Sequence, residues 1–137
     1  MVAEDDARTR AIAAARAAAD KKASEIIALD VSERLVLTDI FLVVSADNER
    51  QVRAVADAVD QAMHQHGVKA HRKEGLSEAR WVLLDYGDVV VHVQHEEDRE
   101  YYALERLWRD CPVIDLPADL TESPGRDDAV PSTGTEG

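Results

Sequence analysis

The chain has 137 residues, 45% of them apolar, which suits one compact domain with a real core and excludes wholesale disorder. The formal net charge of −12 opposes direct binding to a nucleic-acid backbone and would steer a basic protein partner, although solubility alone would also account for it. A single cysteine, Cys111, excludes an internal disulfide; with an acidic, polar start and no apolar run near the roughly 20 residues of a membrane helix, it points to the cytoplasm.

Residues 1–6 are expected to fray, and the domain is expected over 7–116. "DARTRAIAAARAAADKK" is dominated by alanine, the best helix former, and predicts a helix over 7–22 with Ile12, Ala15 and Ala19 on one stripe. "SEIIALDVS" and "DIFLVVSA" are short runs rich in branched residues and read as strands. The segment "SERLVLTD" joins them as a hairpin, unless its Leu-Val-Leu extends a strand. A second helix follows, with Asp47 or Asn48 as N-cap and Glu49 in its first turn. Val52, Val55, Ala56, Val59 and Met63 recur at helical spacing, and Gly67 is its stop. "VKAHR" reads as a short third strand, and "WVLLDYGDVVVHV" (81–93) as a hairpin giving the fourth and fifth. "HEEDREYYALERLWRD" is a last helix, ended by Pro112. The order is α-β-β-α-β-β-β-α, an α/β domain with a mixed five-stranded sheet and flanking helices. From Pro117 onward the chain is rich in Pro, Gly, Ser, Thr and acid. Residues 117–137 read as a disordered tail carrying five acids against Arg126, a net −4.

The hairpin repays a face-by-face reading. A two-residue turn at Tyr86-Gly87 would set Asp85 opposite Asp88, Leu83 opposite Val90 and Trp81 opposite His92. Side chains alternate, so Val82, Leu84, Val89 and Val91 form an aliphatic core face. The other face carries Trp81, Leu83, Asp85, Asp88, Val90, His92 and Gln94, apolar in the middle, aromatic and polar at the ends. It suits either packing under the last helix or a protein-docking surface, where tryptophan and tyrosine concentrate binding energy. Tyr101, Leu104 and Trp108 share one face of the last helix, which leaves Tyr102 the more exposed.

No catalytic constellation emerges. Asp85, Asp88 and His92 are the best metal set, but their spacing is poor and turn aspartates are common for backbone reasons. His64 and His66 sit two apart on a helix and diverge. Cys111 has no local base to lower its pKa. Ser45 lacks a nucleophile elbow, and the six glycines form no Walker or Rossmann pattern.

Taken together in this order, "KKASEIIALDVS", "TDIFLVVSADNERQV", "WVLLDYGDVVVHV" and "REYYALERLW" resemble the ribosomal silencing factor family, also called the Iojap family. The likeness covers about 21–110. Two positions depart from it: Ser45-Ala46 where Ser-Gly is common, and Gln94 where an aromatic is common. The resemblance implies a nucleotidyltransferase-like fold without the catalytic apparatus, since the Gly-Ser and Asp-x-Asp pattern is absent. It implies a repressor that binds ribosomal protein fourteen of the large subunit, blocks joining of the small subunit under nutrient limitation, and needs no cofactor or metal. The alternative is a nucleotide- or metal-dependent transferase activity on the same fold. The resemblance also permits a homodimer. The expected partner-binding set is Trp81, Leu83, Asp85, Asp88, His92, Tyr101, Tyr102 and Glu105.

Overall fold

The structure, a computed structural model, describes residues 5–97, 111–117 and 120. It begins with helix α1 (Asp5–Asp20), then strands β1 (Glu25–Asp30) and β2 (Ile40–Ala46), helix α2 (Glu49–Gln65), and strands β3 (Arg72–Glu74), β4 (Trp81–Asp85), β5 (Val89–His95) and β6 (Val113–Ile114). The strands form one mixed sheet in the order β3-β4-β5-β2-β1-β6. β2 and β5 run parallel at its centre, and the other pairs are antiparallel. Among the described residues the sheet has six strands where sequence predicts five. β6 is only two residues long, below the length at which periodicity speaks, and it pairs Ala28 with Ile114 and Leu29 with Val113.

Helices α1 and α2 cover one face of this sheet. On α1 the buried seam is Ala7, Ala11, Ala14 and Ala18, repeating at four, three and four residues, with Ala15 beside it. Ile12 and Ala19 are only half-buried, so the expected stripe is rotated. Side chains this small let α1 settle closely on α2 and the sheet. α2 presents Val52, Val55, Ala56, Val59 and Met63, all buried, as its spacing predicts. Asn48 caps it, its side chain accepting the Gln51 N–H at 2.8 Å. The Gln51 amide then donates to the Lys21 and Lys22 carbonyls at 3.0 and 2.9 Å, tying the start of α2 to the end of α1.

α1 starts and ends two residues earlier than the expected 7–22, taking in Asp5 and Asp6, while "SERLVLTD" joins β1 to β2 as an antiparallel pair as expected. The third strand begins at Arg72, beyond most of "VKAHR"; Val68 and Ala70 pack on the core as a connection instead. β3 is a fully exposed edge strand of Arg-Lys-Glu, and charge there blunts edge-to-edge pairing. "SERLVLTD" extends neither strand. It folds back on itself, with Arg34 and Leu35 N–H both donating to the Val31 carbonyl at 2.9 Å, which leaves Val36 and Leu37 97% and 84% exposed. The hairpin turn lies at Gly87-Asp88, one residue later than expected, and the Tyr86 N–H donates to the Val89 carbonyl at 2.9 Å. Gly87 has φ +90, suited to the first central position of a two-residue hairpin loop. Tyr86, read from sequence as a turn residue, is buried on the core side, its hydroxyl donating to Asp60 on α2 at 2.8 Å.

The last helix expected over 95–110 falls almost wholly outside the described residues. Of the tail expected from Pro117, Leu120 is 6% exposed and belongs to the main core; its N–H donates to the Pro117 carbonyl at 2.9 Å.

Candidate functional site

The face of the sheet away from α1 and α2 carries the second cluster. Leu29, Val31, Phe41, Val90 and Cys111 are buried there, with Ile27, Leu35 and Leu83 half-buried against them. The true register sets Trp81 opposite Gln94 and Leu83 opposite His92. Relative to the sequence reading, β4 and β5 are shifted by two residues. A one-residue slip would have turned every side chain over; a shift of two keeps each on the face assigned to it. Trp81 and His92 become diagonal neighbours, still within reach of large side chains.

They do meet. The Trp81 Nε1–H donates to His92 Nδ1 at 3.0 Å, and the two rings lie 5.9 Å apart at 51°. On its other side His92 meets Phe41 edge-on, 4.9 Å between centroids at 66°. Burial pushes the His92 imidazole down to about 4, so it is neutral near pH 7. With Nδ1 accepting, its proton sits on Nε2. That Nε2, and both amide atoms of the fully buried Gln94, have no hydrogen-bond partner among the described residues.

Burial falls off toward β4. Val43, Ser45, His92 and Gln94 are buried, whereas Trp81, Leu83 and Asp85 are half-buried. On the β4 side the face therefore ends in a half-buried strip, with Trp81 at one end and Asp85 at the other. Asp85 accepts the Gly87 N–H at 2.9 Å and lies 3.9 Å from Arg72. Asp88 leaves the strip. Its carboxylate pairs with Arg10 on α1, against the helical layer, while its carbonyl accepts the Asp39 and Ile40 N–H groups at 2.8 and 3.0 Å. Asp85, Asp88 and His92 thus do not converge, and among the described residues no group of three potential ligands could hold a metal ion. Tyr101, Tyr102 and Glu105 lie outside the described residues.

Sequence reasoning found the β4 and β5 part of this face and omitted its floor. Phe41 and Val43 on β2 and Ile27 and Leu29 on β1 complete it. The period-2 alternation of "EIIALD" and "IFLVVSA" carried that signal, once the parallel pairing of β2 with β5 was known.

Two cations next to β4 are paired within the chain: Lys73, on the helical side of the sheet, reaches Asp60 on α2 at 2.7 Å, and Arg80 spans Glu49 and Glu97 at 3.4 and 3.3 Å. Asp47 follows β2, and its carboxyl is pushed up from its ordinary value, chiefly because it shares a hydrogen bond with Glu96, which follows β5. Acid therefore collects at the carboxyl ends of the two parallel strands. Among the described residues no helix is long and apolar enough to cross a membrane.

A model of the family described as "Ribosomal silencing factor during starvation" matches residues 4–136. The ribosomal silencing factor RsfS of Bacillus subtilis is 45% identical over 103 residues, covering 75% of this chain and 87% of that protein. Crystal structures of two bacterial proteins share the fold. The one from Chromobacterium violaceum is 38% identical with a TM-score of 0.72, covering 74% of this chain and 85% of its own. The one from Bacillus halodurans is 41% identical with a TM-score of 0.67, covering 76% and 94%. Sequence, fold and coverage agree, and the chain belongs to the ribosomal silencing factor family.

Proposed function

We propose that this protein represses translation by docking on the large ribosomal subunit through ribosomal protein fourteen, so that its bulk blocks joining of the small subunit under nutrient limitation. The observation that supports this most directly is the half-buried strip of Trp81 and Leu83 on the sheet, in a chain whose relatives are named as silencing factors. A large aromatic held at the edge of a buried cluster is the usual form of a binding anchor. The net charge of −12 favours approach to a basic ribosomal protein. Occlusion needs no cofactor and no reaction, and the described residues supply no metal-ligand cluster for the transferase alternative.

Cosedimentation with purified large subunits in a sucrose gradient, and slower joining of small subunits, are the expected results. Trp81→Ala is expected to fold and to bind about thirtyfold more weakly, equivalent to about 2 kcal/mol for losing a central anchor. Wild-type binding by a well-folded Trp81→Ala would refute the site. No cosedimentation by the unaltered protein would refute the function. A homodimer through the same strip is the competing occupant; it predicts that self-association and subunit binding exclude each other.

A further inference from the structure

Trp81 approaches the surface with its one polar atom already engaged. The indole N–H points inward to His92 Nδ1 at 3.0 Å. His92 is 5% exposed and braced by Phe41, so the acceptor sits at a fixed place in the sheet. The tautomer that accepts at Nδ1 must carry its proton on Nε2, and that atom is buried without a partner among the described residues. An unmet buried donor is unfavourable. The ring therefore sustains a local loss on one side while holding Trp81 on the other, and the register shows why the hold matters. Trp81 lies directly opposite Gln94, not His92, so strand pairing alone does not set the tilt of the indole. The diagonal hydrogen bond ties the indole to His92.

We propose that His92 is the positioning residue of the docking site: by accepting the Trp81 N–H it fixes the indole with its carbocyclic edge outward, so the partner surface that receives Trp81 is an apolar pocket and not a hydrogen-bond acceptor. This rests on the reading of Trp81 as a docking anchor. It reassigns His92 from partner contact to internal support and specifies the chemistry of the partner's pocket. An acceptor on the partner would have to compete with a preformed internal bond.

Two polar substitutions separate this role from bulk stability. Asparagine places its side-chain oxygen close to the position of Nδ1, whereas glutamine places an acceptor near that of Nε2. His92→Asn should keep the Trp81 indole N–H protected from solvent exchange. His92→Gln should accelerate that exchange about tenfold or more. The indole signal is assigned by its loss in Trp81→Phe, which distinguishes it from Trp108. On purified large subunits, His92→Asn should dock within about threefold of the unaltered protein and His92→Gln about tenfold more weakly, the loss of roughly one hydrogen bond's worth of orientation. Equal indole exchange in the two variants would overturn the positioning role. Tighter docking by His92→Gln, whose indole N–H is released, would overturn the apolar pocket. These outcomes are distinct from failure of the docking reading, which would show as unchanged binding by Trp81→Ala whatever His92 does.

Discussion

Replacing Gly75 by alanine should cost far more than the same change at Gly67, and the difference measures how tightly β4 is held behind Trp81. Both glycines have positive φ, +85 and +77. A left-handed conformation costs an alanine about 1–2 kcal/mol at either site. At Gly67 nothing lies within 4 Å of an added Cβ. At Gly75 the added carbon would run into the Trp81 carbonyl oxygen, a backbone atom that cannot swing aside. Relieving that overlap means moving the start of β4, at a further cost of about 1–3 kcal/mol. Gly75→Ala should thus lose about 2–5 kcal/mol in all, against a total of about 5–15 kcal/mol for a domain of this size. Urea unfolding followed by circular dichroism would read this as a midpoint roughly 1 M below that of Gly67→Ala, for a slope of about 1–3 kcal/mol per molar. Equal midpoints for the two variants would refute the close approach of Gly75 to Trp81.

Tyr86→Phe removes a buried donor to a carboxylate and should destabilise by about 1.5–3 kcal/mol in the same assay. It should also raise the titration of Asp60: burial pushes that carboxyl up, and the hydrogen bonds from Lys73 and Tyr86 outweigh it, so losing one of them lets the value climb, as carboxyl carbon NMR shifts would show. His92 is held at about 4 in the fold against about 6.5 unfolded, so below pH 6.5 the unfolded chain takes up a proton that the folded one refuses. Stability should therefore fall as pH drops from 6.5 to 4, by up to about 3 kcal/mol, and His92→Asn should lose that part of the slope; identical slopes in the two proteins would contradict it. Val36→Ser with Leu37→Ser should change stability by no more than about 0.5 kcal/mol, because both side chains already face solvent.

The packing of α2 on the sheet was legible because α2 and strands β4 and β5 each carried their own period. The α2 residues Val52, Val55, Ala56, Val59 and Met63 are buried as spaced, and the alternation in β4 and β5 put Trp81 and His92 on the side away from the helices. What could not be read was set by contacts distant in sequence. Tyr86 looked like a turn residue because its partner, Asp60, is 26 positions away. The rotated seam on α1 depends on where α2 lies, and alanines give periodicity little contrast. Asp88 was paired with Asp85 by assuming the turn position; the left-handed Gly87 moved the turn by one residue and sent Asp88 to Arg10. The β6 pairing depends on the chain returning to β1, which two apolar residues cannot announce.

In the proposed docking, the two faces of the sheet divide stability from recognition. The helical face is aliphatic and closed, and it places the central parallel pair β2 and β5 under firm control. The opposite face grades from fully buried on β5 and β2 to half-buried on β4. As the proposed anchor, Trp81 gains from such a gradient: its indole is held on the inner side by His92, which leaves less side-chain entropy to lose on binding. The charged edge strand β3 lies just beyond, and its exposed Arg72, Lys73 and Glu74 discourage another strand from adding to the sheet there. In the proposed docking, a partner that reaches Trp81 is thereby directed onto the face instead of the edge, its affinity set by the shape and apolar character of its pocket and its encounter rate by the surrounding acid.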